Sequence, residues 1–262
     1  MDHWRGKWGL ITGASAGIGA EFAKLLAAGG TNLVLTARRR DRLDQLAADL
    51  SAKHGVRVEV IPADLARPES PAKIHAIIST LKVQVDLLIN NAGFGVYGEF
   101  RSSDLSRQLE MVQVNCASVV HLTHLYLQGM IERRSGDILI LASTAAFQAV
   151  PYISTYAATK AFDLLFAEGL AEEVRSFGVR VCALCPGTTD TEFQQVAGQP
   201  DRVFRHAETA EKVARVGLEA LAKGKSAVIS GLGNKLSTVS ERLLPRSMIT
   251  HIAGKVFAPR RA

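Results

Sequence analysis

Tyr156, Lys160 and Ser143 are the residues of this chain whose types and spacing could do chemistry. Tyr156 and Lys160 lie four apart in Ser154-Thr155-Tyr156-Ala157-Ala158-Thr159-Lys160, with Ser143 thirteen residues before Tyr156. On a helix, residues four apart share a face, with Cβ atoms about 5–6 Å apart. A free phenol has a pKa of roughly 10 and is a poor base at neutral pH. An ammonium held beside it favours phenolate and lowers that pKa. The pair is therefore a candidate tuned acid/base. Taken alone, Tyr-x-x-x-Lys also describes an ordinary surface helix pair, so the preceding chain must decide.

A pair of this kind needs something to work on. Thr12-Gly13-Ala14-Ser15-Ala16-Gly17-Ile18-Gly19 falls between an apolar run and a helical pattern. Glycines let a backbone turn tightly, and the amides of a helix start can seat a dinucleotide's pyrophosphate. The spacing is G-x-x-x-G-x-G, unlike the common G-x-G-x-x-G fingerprint. After the next strand, an acid would select NAD by holding its ribose hydroxyl. Arg38, Arg39 and Arg40 stand there instead. Guanidinium suits a 2′-phosphate by charge and planar donor geometry, and a helix N-terminus disfavours unpaired positive charge. NADP is the expected cofactor.

The elements that must position these residues can be read along the chain. Strand patterns cover Trp8–Thr12, Asn32–Ala37, Val56–Pro62, Val85–Asn90, Asp137–Ser143, Val179–Cys185 and Ala227–Ile229. Helical patterns cover Ile18–Ala28, Arg40–Lys53, Pro71–Leu81, Leu105–Arg133, Thr155–Ser176 and Ala210–Ala222. Alternation of near-continuous apolar strands with helices predicts an α/β fold. The expectation is one doubly wound parallel sheet of seven strands, helices on both faces. The 262 residues suit a single domain, with a boundary at residue 234 before a tail at 235–262.

Charge is unevenly spread. The net charge is +6, and Lys235, Arg242, Arg246, Lys255, Arg260 and Arg261 against Glu241 place +5 of it in the tail. The nearly neutral body argues against a nucleic-acid footprint. Three cysteines argue against a disulfide framework and fit a reducing, cytoplasmic setting. No 18-residue apolar run predicts a membrane-spanning helix, and Met1–Lys7 lacks a signal peptide's apolar core.

Together these features resemble the short-chain dehydrogenase/reductase family, over roughly residues 8–192. The resemblance rests on Thr12–Gly19, Asp64 in Pro62-Ala63-Asp64-Leu65, Asn90-Asn91-Ala92-Gly93, Asn115, Ser143, Tyr156, Lys160 and Pro186-Gly187-Thr188-Thr189-Asp190-Thr191. It implies a Rossmann-type fold and an oxidoreductase moving hydride between NADP(H) and a carbonyl or secondary alcohol. Tyr156 would exchange the proton, Ser143 would position the substrate oxygen, and Lys160 would lower the phenol pKa and hold the nicotinamide ribose. Asn115 would anchor a water relaying protons to Lys160. The resemblance places Gly13, Ser15, Gly17, Ile18 and Gly19 at the cofactor, Asp64 and Leu65 at its adenine, and Arg38 and Arg39 at its 2′-phosphate. Asn91, Ala92, Gly93, Pro186, Gly187, Thr188 and Thr191 would line the rest, with Tyr156 and Lys160. It also implies a homodimer or homotetramer.

The resemblance implies that the loops carrying Phe94, Ala145, Phe147, Val150 and Phe193, with Tyr97, Phe100, Tyr152 and Phe204, surround the substrate. Their apolar character points to a lipophilic ketone or aldehyde. An alternative is a catalytically silent NADP-binding sensor or scaffold, although such relatives usually lose Tyr, Lys or Ser. A sugar-nucleotide epimerase or dehydratase fits the glycine spacing less well. Cys182 and Cys185 invite a metal reading, but residues three apart on a strand face opposite sides, so no metal is expected. His121 and His124 have no evident third ligand. In the tail, Leu236, Val239, Leu243 and Leu244, then Ile249, Ile252, Val256 and Phe257, predict two amphipathic helices. Packing on the domain or a partner subunit is favoured for them over docking on an anionic membrane.

Overall fold

A computed structural model describes residues 2–198, 207–241 and 244–259. Phe204, Arg242, Leu243, Arg260 and Arg261 lie outside the described residues. The strands are β1 (Trp8–Thr12), β2 (Asn32–Thr36), β3 (Val58–Val60), β4 (Leu87–Asn90), β5 (Gly136–Leu141), β6 (Val179–Cys185), β7 (Thr189–Asp190), β8 (Glu208–Thr209) and β9 (Ala227–Ile229). The helices are α1 (Gly17–Ala28), α2 (Arg40–His54), α3 (Ser70–Thr80), α4 (Leu105–Val112), α5 (Ser118–Glu132), α6 (Ser154–Val174), α7 (Phe193–Ala197), α8 (Ala210–Ala222), α9 (Leu232–Glu241) and α10 (Arg246–Phe257).

Seven strands form one parallel sheet in the order β3-β2-β1-β4-β5-β6-β9. Side chains alternate across it, because successive strand residues point to opposite faces. Leu10, Val34, Leu88, Ile138 and Ile140 join the core beneath α3, α5 and α6. Ile11, Leu33, Leu35, Leu87, Ile89 and Leu139 join the core beneath α1, α2 and α8. Both faces are covered, which is why the strand sequences read as continuous apolar runs rather than alternating ones.

The strand order reverses between β1 and β4, so the loops leaving their carboxyl ends diverge and open a crevice there. The region expected as one helix over Leu105–Arg133 is instead α4 and α5 joined by a π-helical turn at Gln113–Ala117. Such wider turns recur at functional sites, and this one carries Asn115. The irregular stretch after β6 folds into α7 and a two-residue pairing of β7 with β8.

The tail is only partly packed on the domain. Helix α9 begins at Leu232, before the expected boundary, and Asn234 Nδ2 donates to Ser230 O at 2.7 Å. Helix α10 buries Ile249 and Ala253, whereas Leu236, Val239, Ile252 and Val256 face outward.

Candidate functional site

The loop after β1 is shaped by two glycines in left-handed conformations. Gly13 has φ +67°, and a Cβ there would come within 2.8 Å of Asn91 Nδ2 and 2.9 Å of Ala92 Cα. Gly17 has φ +55°, and a Cβ would meet Thr191 Cγ2 at 3.0 Å. L-residues avoid such φ values and these contacts leave no room for a side chain. Thr12 Oγ1 accepts from the amides of Asn91 and Ala92, both at 2.9 Å, and Asn91 Nδ2 donates to Thr12 O at 2.8 Å. The loops after β1 and β4 are thereby fastened side by side. No side chain caps α1, so its first-turn amides face the cleft without a protein acceptor from its cap residue Ala16.

A cleft of about 310 Å³ runs over this loop, lined by Gly13, Ser15, Gly17, Ile18, Arg38, Arg39, Asp64, Leu65, Asn91, Ala92, Gly93 and Thr191. Gly19 lies beneath the lining, buried against Gly13 O and Asn91. At the far end, Arg39 donates to Ser15 Oγ at 3.2 Å and to Glu192 Oε2 at 2.7 Å. Arg42 donates to the same carboxylate at 2.5 Å, and both arginines hold its pKa below the usual carboxylate value. Arg38 is more loosely placed, 3.7 Å from Glu110. Arg40 turns away and pairs with Asp44 on the surface of α2, so the arginine run divides between cleft and solvent.

A second cavity, about 170 Å³, adjoins the first and contains Ser143, Tyr156 and Lys160. Pro186, Gly187, Thr188 and Thr191 line it too. Strand β5 ends at Leu141, so Ser143, expected as its last residue, lies two residues beyond the strand, and its hydroxyl accepts from Ala145 N at 3.1 Å. Lys160 Nζ lies 6.0 Å from the Tyr156 ring centroid. Burial pushes the phenol pKa above its ordinary value, while the Lys160 charge and the Ser143 hydrogen bond pull it down and Asp163 pushes it up. The expected lysine effect is present, but burial outweighs it. Burial works against the Lys160 charge, yet Asp163 and Tyr156 outweigh burial and raise the ammonium pKa.

Asn115 is fully buried and acts as a clamp. Its Oδ1 accepts from Phe94 N at 3.1 Å, and its Nδ2 donates to Phe94 O and Thr159 Oγ1, both at 3.0 Å. It ties the loop after β4 to α6.

The expected substrate residues divide. Ala145 and Phe193 line the second cavity, and the Phe193 ring lies 5.3 Å from that of Tyr156. Phe94 lines the nucleotide cleft instead, beneath Arg107. Phe147 and Val150 line neither cavity. The segment after Ser143 winds into a 3-10 turn (Thr144–Phe147), which packs Phe147 against the core, and Val150 is buried within it. Tyr97 donates to Phe257 O at 2.7 Å, and Phe100 is exposed.

Ile153 and Phe257 are cavity residues the sequence reading missed. Phe257 is brought from the tail by α10, which no local pattern reveals. Glu192 and Asp163 were also missed, although Asp163 follows Lys160 by three and so shares its helix face. Cys182 and Cys185 point into opposite cores, and burial pushes both thiols up to about 12. Among the described residues no group of His, Cys, Asp and Glu could hold a metal ion.

The donor set fits a nicotinamide dinucleotide: uncapped amides at α1, a floor without side chains at Gly13 and Gly17, and cations at one end with a lysine at the other. A family model for short chain dehydrogenases matches residues 7–202. A very-long-chain 3-oxoacyl-CoA reductase of Bos taurus is 36% identical over 200 residues, covering 75% of this chain and 64% of that one. The chain thus spans less than two thirds of that relative's length. A short-chain dehydrogenase from Sphingobium yanoikuyae, solved in complex with NADPH, superposes with a TM-score of 0.83 at 30% identity, covering 98% of this chain and 97% of that one. A 7beta-hydroxysteroid dehydrogenase superposes with a TM-score of 0.87 at 27% identity, covering 96% and 98%.

Proposed function

Since the chain belongs to the short-chain dehydrogenase/reductase family, we propose that it is an NADP(H)-dependent oxidoreductase reducing a lipophilic ketone. The observation that carries this reading is that the two cavities join along Ile18, Asn91, Gly93, Leu141, Thr191 and Phe193, with Ser143, Tyr156 and Lys160 lining the second and Arg38 and Arg39 lining the first.

Gly13, Gly17 and the α1 amides would seat the pyrophosphate, Arg38 and Arg39 the 2′-phosphate, and Lys160 the ribose beside the nicotinamide. NADPH, when bound, supplies the hydride. The protein's part is proton placement. Ser143 and Tyr156 line the same cavity, and a carbonyl oxygen between their hydroxyls would accept two hydrogen bonds as negative charge develops. Tyr156 then donates its proton as general acid. The raised phenol pKa suits this role, because the group stays protonated at neutral pH. Phe193, Phe257 and Ile153 give the cavity an apolar wall, which favours a ketone carried on hydrocarbon over a sugar. The names of the bovine and hydroxysteroid relatives are in keeping with a 3-oxoacyl thioester or a ring ketone. Leu109, Val112, Val120, Phe162 and Leu165 are exposed on α4, α5 and α6, in keeping with subunit pairing there.

The test is NADPH oxidation with medium- and long-chain 3-oxoacyl thioesters and a hydroxysteroid-type ketone. Tyr156→Phe should lower turnover by about 10²- to 10⁴-fold while NADPH still binds. Undiminished turnover would remove Tyr156 from the chemistry.

A further inference from the structure

Asp163 lies one helical turn after Lys160 on the inward face of α6, and the chemistry above does not use it. Its side chain is 1% exposed and that of Lys160 5%, with Nζ 3.0 Å from Oδ2. Lys160 Nζ also donates to Leu141 O at 2.6 Å, so the ammonium is held between α6 and the end of β5. Asp163 Oδ1 is buried and accepts no hydrogen bond. A buried ion pair with one oxygen unsatisfied is a poor stability device, since well-packed apolar residues serve a core better. Its effect must then be sought through its partner. An ammonium has three protons. Leu141 and Asp163 take two of them, which leaves a third, and Lys160 is among the residues lining the second cavity.

We propose that Asp163 is a positioning residue for Lys160. It fixes the ammonium in orientation, keeps it charged inside the protein, and leaves a single N–H for the nicotinamide ribose. The inference rests on the reading of Tyr156 as proton donor and Lys160 as its neighbour in charge. The ionisable groups that feel the carboxylate are Lys160 and Tyr156 on α6 and Cys116 on the π-turn, whose thiol burial pushes up to about 12. Cys116 therefore stays neutral and does not substitute for the carboxylate. Asp163 raises both the Lys160 and the Tyr156 pKa. Its removal lowers both, and carbonyl reduction needs both groups protonated.

Asp163→Asn keeps the side-chain shape and removes the charge. The alkaline fall in kcat/KM for ketone reduction should move to lower pH by about one unit, the scale of one neighbouring charge. Asp163→Glu should bring the fall back toward wild type. A folded Asp163→Asn enzyme whose alkaline limb is unmoved overturns the proposal, whatever its Tm. If Asp163→Asn does not fold, Asp163→Ser is read by the same criterion. A wild-type protein that binds NADPH but reduces no ketone sinks the functional reading and this inference with it. A working wild type with an unmoved limb sinks only the inference.

Discussion

Replacing Arg38 and Arg39 by alanine should reduce NADPH affinity while leaving NADH affinity nearly untouched. A hydrogen bond to a charged group contributes about 1.5–3 kcal/mol. Arg38 and Arg39 are 58% and 41% exposed, so solvent screening argues for the lower end for the two side chains together. That corresponds to about a tenfold loss in NADPH affinity. One complication is built into the structure. Arg39 also holds Glu192 at the start of α7, so its removal could loosen that segment rather than cost a phosphate contact. Glu192→Gln separates the two. It breaks the α7 anchor but frees Arg39, and NADPH affinity should hold or rise by up to about fivefold, the scale of a surface ion pair. Dissociation constants for NADPH and NADH are measured by nicotinamide fluorescence for wild type, the double alanine variant and Glu192→Gln. An unchanged NADPH-to-NADH ratio in the double variant refutes the arginine argument. A Glu192→Gln variant that loses NADPH affinity like the alanine variant assigns the effect to α7 instead.

The remaining expectations concern the phenol and the tail. Because burial holds the Tyr156 pKa above its ordinary value, the phenol stays protonated through the neutral range and beyond it. Ketone reduction should therefore be flat between about pH 7 and 9, while alcohol oxidation, which needs phenolate, should climb with pH over the same span. A fall in reduction already below about pH 8 would contradict this. Phe257→Ala removes a cavity wall but leaves the Tyr97 bond to the Phe257 carbonyl in place. KM for a bulky lipophilic ketone should rise about tenfold, the lower end of what one partly buried aromatic contributes, with a small ketone unaffected. Equal effects on both substrates would point to lost folding of α10 instead.

The fold was legible because a parallel sheet covered on both faces writes its strands as apolar runs. Strand β6 and helix α8 fall at their expected residues, while β3 and β4 are shorter than their apolar runs because the flanking residues leave the ladder. The π-turn within Leu105–Arg133 was not legible, since five residues of wider helix leave no mark in hydrophobic periodicity. The glycines and arginines singled out in the sequence line one cleft, because the turn after β1 and the start of α2 are set by local spacing. Charge alone did not separate Arg40 from Arg38 and Arg39; the family resemblance singled out Arg38 and Arg39, and Arg40 pairs with Asp44 on the surface of α2.

By itself, the sequence determined the parallel sheet, the glycine loop and the joining of Tyr156 to Lys160, because each depends on local spacing along one element. Tertiary structure alone decided the rest. It set burial against the lysine charge at Tyr156, engaged Asn115 with Phe94 and Thr159, and buried Val150 away from the substrate cavity. It also carried Phe257 from the tail to the cavity and Glu192 to Arg39. Burial and contact between distant segments are properties of the packed chain, and no window of neighbouring residues contains them.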